Sequence, residues 1–177
     1  MSTSNQCTMK NLLKITSSII PFILVLTSIG VNALEPVAKI IKQENAPIRL
    51  QSYEAKYKEG GSYTREGIYH SVNYVNTSDQ EIVAIQITFV SFDVWNELLD
   101  RTGGFALNNL SPEEKEEGSW VVTAYADSSF YTGVAYVSKV RFASGEIWEV
   151  NYDRILQELK QIESDLTREQ LTNDQEK

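Results

Sequence analysis

The sequence predicts an all-β fold, a β-sandwich or barrel of about seven strands followed by a C-terminal α-helix. Three observations carry this. Short runs rich in Val, Ile, Tyr and Phe alternate in polarity between Ile48 and Val150. Turn-forming clusters, "EGGSY", "NTSDQ", "SPEEKEEG" and "ASGE", separate those runs. After Asn151 the apolar period changes from two to that of a helix.

The first strand is "IRLQSYEAKYK", Ile48 to Lys58, and Gly60 and Gly61 break it. "IYHSVNYV", Ile68 to Val75, is the second, with "NTSDQ" as its turn. "EIVAIQITFVSF", Glu81 to Phe92, is the strongest. Val83, Ile85, Ile87 and Phe89 share one face; Ile82, Ala84, Thr88, Val90 and Phe92 share the other. Two apolar faces make it a central strand. Asp93 to Gly104 reads as a connection, and "FALNNL" as a short strand. Ser111 to Gly118 reads as a polar turn, and "SWVVTAYA", Ser119 to Ala126, as a strand. Val134–Phe142 and Ile147–Val150 form a closing hairpin. Ile147 and Trp148 are neighbours, so only one can join Val140 and Phe142 on the core side. Burial of the larger ring favours Trp148. Beyond it, Asn151 caps a helix with an apolar stripe at Ile155, Leu159, Ile162 and Leu166.

The segment before the strands has a different character. Lys10 and Lys14 precede an apolar run, Ser18 to Ala33, that ends in Val31 and Ala33. That pattern is a secretory signal peptide, with an uncleaved anchor as the rival reading. The expected organisation is a signal peptide at 1–33, a leader or short helix at 34–47, a sandwich at 48–150, an amphipathic helix at 151–171 and a polar tail at 172–177. The only cysteine, Cys7, lies before the apolar run and leaves with the signal. The mature chain then has no disulfide and no thiolate chemistry.

Charge excludes further classes. The chain carries 16 basic and 24 acidic residues, net −8. Loss of 1–33 removes two lysines and no acid, leaving −10. No basic footprint exists for nucleic acid, and an anionic membrane surface is disfavoured once the signal is gone.

Chemistry-bearing residues are few. His70 is the only histidine, and no second soft ligand or nucleophile motif accompanies it. The expectation is a hydrogen-bonded or outward-facing strand residue. Glu113, Glu114, Glu116 and Glu117 lack the spacing of a calcium loop and read as a solvated turn. No cofactor and no metal are expected, and no enzymatic activity. The sequon at Asn76 is discounted. Loop aromatics are the candidate ligand contacts: Trp95, Phe105, Phe130 and Tyr131.

One stretch resembles a family. "VNYVNTSDQEIVAIQITFVSFD", Val72 to Asp93, resembles the FxLYD domain, an extracytoplasmic module of bacterial proteins. The strand, the Asn-containing turn, the long apolar strand and the ending Phe89-Val90-Ser91-Phe92-Asp93 carry it. Ser91 stands where the family has Leu, and Phe92 where it has Tyr. The resemblance implies an immunoglobulin-like sandwich and export, to the periplasm or outside the cell. It implies no reaction. The resulting expectation is an exported, non-enzymatic binding or accessory module with a protein or glycan partner. The alternative is an envelope assembly protein, a homo-oligomer joined through the C-terminal helix.

Overall fold

A computed structural model describes residues 35–123 and 128–172. The expected signal peptide and the polar tail from residue 173 lie outside the described residues. No helix among the described residues is long and apolar enough to cross a membrane.

Among the described residues eight strands form two sheets: β1 Val37–Ile40, β2 Ile48–Lys58, β3 Gly67–Asn76, β4 Ile82–Asp93, β5 Leu98–Ala106, β6 Lys115–Val122, β7 Phe130–Phe142 and β8 Ile147–Glu149. One sheet runs β1-β7-β4-β5, with β8 also on β7; the other runs β2-β3-β6. All pairs are antiparallel except β1 with β7. In immunoglobulin lettering β2-β3-β6 correspond to A-B-E, and β5-β4-β7-β8 to C′-C-F-G, with no strand D among the described residues. The protein is an all-β sandwich of this type with small C-terminal helices.

The eighth strand is β1, inside the segment expected to be a leader. Four residues of parallel pairing, Val37 opposite Thr132 to Ile40 opposite Ala135, leave no periodic signature of their own. A second difference is β5. Asp93 to Gly104 is no loose connection: β4 and β5 are a tight hairpin. The Asp93 carboxylate accepts from the Trp95 and Glu97 amides, each at 2.8 Å, and Asn96 takes φ 66°. A third is β6, which starts at Lys115, four residues before the expected Ser119.

β4 is central, flanked by β5 and β7. Ile85, Ile87 and Phe89 face the second sheet and meet Ile68, Val72 and Tyr74. Val90 and Phe92 face the helices. Ile82 departs from the expected face. A bulge between Ile82 and Ala84 turns it to the side of Ile85, inside the sandwich core. β7 carries the matching irregularity near Ser138. Ala135 and Val137 before it, and Val140 and Phe142 after it, therefore all reach the same core.

The C-terminal stripe is consumed within the fold. The expected single helix over 151–171 is two: α1, Tyr152–Leu159, and α2, Arg168–Thr172. Asn151 caps α1 through the Asp153 amide at 3.0 Å. Thr167 and Gln170 form a capping box, with the Thr167 amide donating to Gln170 Oε1 at 2.8 Å. Ile155, Leu159, Leu166 and Leu171 are buried with Val90, Phe92, Val134 and Tyr136. The helices are a third layer on the outer face of the larger sheet.

Candidate functional site

Three connections meet at one end of the sandwich: 41–47 between β1 and β2, 77–81 between β3 and β4, and 143–146 between β7 and β8. Sequence chemistry holds each. Asn76 is buried. Its Oδ1 accepts from the Ser78 amide at 2.9 Å and the Ser78 hydroxyl at 2.7 Å; its Nδ2 donates to the Gln80 and Leu110 carbonyls at 2.8 and 3.0 Å. The sequon amide is thus fully engaged in the folded chain. The Thr77 amide donates to the Pro47 carbonyl at 2.8 Å, tying the first loop to the second. The Ala143 amide donates to the Glu81 carbonyl at 2.9 Å, tying the second to the third. Gly145, at φ 92°, takes the left-handed position of that last turn.

Between these loops lies an open groove of about 800 Å³. Asn45, Arg49, Thr77, Gln80, Ile147 and Trp148 line it. Trp148 stands opposite Val140 on β7 and packs partly against the core, leaving part of its ring to the groove. Its neighbour Ile147 points outward and is 48% exposed. The assignment of Trp148 to the core side therefore holds, with the ring half-buried. Glu44, Glu146 and Glu149 also border the groove against one cation, Arg49. Glu149 pairs with Lys139 at 2.7 Å. The groove offers a flat apolar surface, amide and hydroxyl groups, and an acidic balance. The Ser78 hydroxyl is held by an amide oxygen, which cannot take its proton, so it is no activated nucleophile.

The expected aromatic contacts do not converge. Trp95 is 80% exposed at the β4–β5 turn, at the opposite end of the sandwich. Phe105 is 63% exposed near the far end of β5. Ten residues of hairpin separate the two, on the order of 30 Å. Phe130 is not a loop residue: it begins β7 and is 4% exposed in the core, because Asp93 of the central strand pairs with it. Tyr131 is half-buried in the same strand.

His70 lies at the centre of the molecule. It is buried on β3, its ring near-parallel to those of Tyr53 and Phe89 at 5.9 and 4.3 Å, and those two rings lie 5.8 Å from each other. The Tyr53 hydroxyl and His70 Nδ1 share a hydrogen bond of 2.8 Å. Burial pushes the imidazole down to about 4. A neutral, sealed ring cannot serve a ligand. Beside it, Trp120 tilts against Phe89 and donates from Nε1 to the Phe105 carbonyl at 3.3 Å. That bond links the open edges of β5 and β6. Among the described residues no group of three His, Cys, Asp or Glu is placed to hold a metal ion.

No protein-family model matches the chain, and no curated protein matches it. Solved structures do. A hypothetical protein from Peptoclostridium difficile 630 is similar at 10% identity and TM-score 0.50, over 66% of this chain and 93% of that one. The structural-genomics target SoR45 is similar at 15% identity and TM-score 0.41, over 59% of this chain and 80% of that one. At these identities the first likeness concerns the fold alone.

Asn45, Arg49, Thr77 and Gln80 had no signal as site residues, since Asn45, Thr77 and Gln80 sit in ordinary connections and Arg49 is a polar position of strand β2. Connectivity was the available clue. In an immunoglobulin-like order the B–C and F–G connections fall at one end, which places Gln80 beside Trp148.

Proposed function

We propose that the protein is an exported, non-enzymatic binding module, akin to FxLYD domains, that takes a protein or glycan partner in the groove beside Trp148. The carrying observation is the groove itself: three mutually bonded loops holding a partly bare indole among amide and hydroxyl side chains. An indole face with neutral hydrogen-bonding groups suits a sugar ring or an extended peptide. The glutamates favour a neutral or cationic partner over an anionic one. The sealing of His70 and the unactivated Ser78 support a non-enzymatic reading. Burial of the helical stripe favours this groove over the C-terminal helix as the contact.

The test is affinity capture from bacterial envelope with the full chain and with a variant filling the groove, Asn45→Trp with Gln80→Arg. A partner held by the first and lost by the second supports the reading. Equal retention by both, or hydrolysis of esters, peptides or glycans at catalytic rates, overturns it.

A further inference from the structure

A second cleft, about 390 Å³, lies between α1 and the β1 edge of the larger sheet. Its floor is apolar: Ile40, Ile41 and Ile162 line it, over Val134 and Leu159 sealed beneath. Its rim is cationic. Lys39 and Lys42 border it from β1 and the residues just after it, and Arg154 from the first turn of α1. None of the three pairs with a carboxylate among the described residues, although the chain has eight more acids than bases. Glu158, one turn beyond Arg154, is the only acid on the rim among the described residues. Three cations around an apolar floor, in an acidic protein, form a local field opposite in sign to the whole.

We propose that this cleft binds a single-chain anionic amphiphile, a carboxylate or phosphate head carrying an alkyl tail. The head meets Lys39, Lys42 and Arg154, and the first methylenes lie on Ile40, Ile41 and Ile162. Both parts are required. Exposed lysines hold a bare anion weakly in water, whereas each methylene moved onto the floor adds about fourfold in affinity. The volume suits one small ligand, within the usual range of roughly 300–1,000 Å³. The ligand is a monomer and not a bilayer, because the net charge of the chain repels an anionic membrane. The cleft is separate from the groove at Trp148, so either proposal can fail without the other.

The experiment titrates the full chain, below micelle concentrations, with dodecanoate, dodecyl phosphate, methyl dodecanoate, acetate and inorganic phosphate, read by calorimetry and amide chemical shifts. Both anionic dodecyl compounds are expected to saturate one site and shift amides of 39–42 and 154–162. The neutral ester is expected to bind at least about tenfold more weakly, and acetate and phosphate not measurably. Lys39→Glu, Lys42→Glu and Arg154→Glu together are expected to lose at least about tenfold with the thermal midpoint unchanged. If the triple variant does not fold, Lys39→Gln and Lys42→Gln singly must each lose about two- to threefold. Equal binding of ester and carboxylate, indifference to the charge changes, or binding only to phosphatidylglycerol vesicles overturns the proposal.

Discussion

The side-chain amide of Gln43 makes both hydrogen bonds that a strand neighbour would make to Val137. Nε2 donates to the Val137 carbonyl at 2.8 Å, and the Val137 amide donates to Oε1 at 2.8 Å. The position matters because β1 and β8 share one edge of β7 and leave a gap between them. Ile41 bonds the Ala135 carbonyl on one side of that gap, and Val150 the Ser138 carbonyl on the other. Gln43 completes the row, so this edge of β7 offers no unpaired backbone to a second chain. Gln43→Leu should cost about 2–3 kcal/mol, since two backbone groups lose their partners. Denaturant unfolding measures it. Gln43→Glu keeps the acceptor but sets a carboxylate against the Val137 carbonyl, so it should not restore stability.

His70 should make stability fall in acid. Its folded value, about 4, lies below the ordinary 6.5, so the unfolded chain binds the proton first. The contribution is complete above about pH 6.5 and declines as pH falls toward 4, by on the order of 3 kcal/mol in all. Urea midpoints between pH 7.5 and 4 should show this slope. Tyr53→Phe with His70→Phe should flatten it, and no titration of the His70 ring should be seen by NMR above about pH 5.

Trp120 closes the β5–β6 side of the sandwich over two glycines. A Cβ added at Gly104 would stand 2.7 Å from the indole and 2.9 Å from the Phe89 ring. Gly104→Ala should therefore cost about 1–3 kcal/mol and move the tryptophan emission to longer wavelength, as the displaced ring meets water. Unchanged stability and emission would show that the side is loosely filled.

Trp148→Ala should cost about 2 kcal/mol, less than the roughly 3–5 of a fully buried ring, because part of the indole faces the groove. Thermal unfolding of this variant beside Leu159→Ala calibrates the difference. Leu159 is fully buried between α1 and the sheet, and its truncation should cost about 2–5 kcal/mol.

What the residues revealed in advance follows a physical divide. β3, β4 and the β7–β8 hairpin were legible because Val, Ile and aromatics alternate there. β1 was not, because a short parallel edge is defined only by its partner. β5 was hidden by Asp100, Arg101, Gly103 and Gly104, which read as a connection until β4 supplies the ladder. The helical stripe looked continuous, since its spacing survives the break; the Thr167–Gln170 capping box was the sign of a restart. Of the candidate site only Trp148 was legible, and as a core residue. Trp95 and Phe105 stood out for their chemistry, but exposure alone does not bring two rings to one place.

The most direct test of the binding account is the hydrogen-exchange footprint of the captured envelope partner on the full chain. The account predicts slowed exchange at 43–49, 77–80 and 146–149, with 93–97 and α1 unchanged. Protection confined to the Trp95 turn, or to the outer face of the helices, would contradict it.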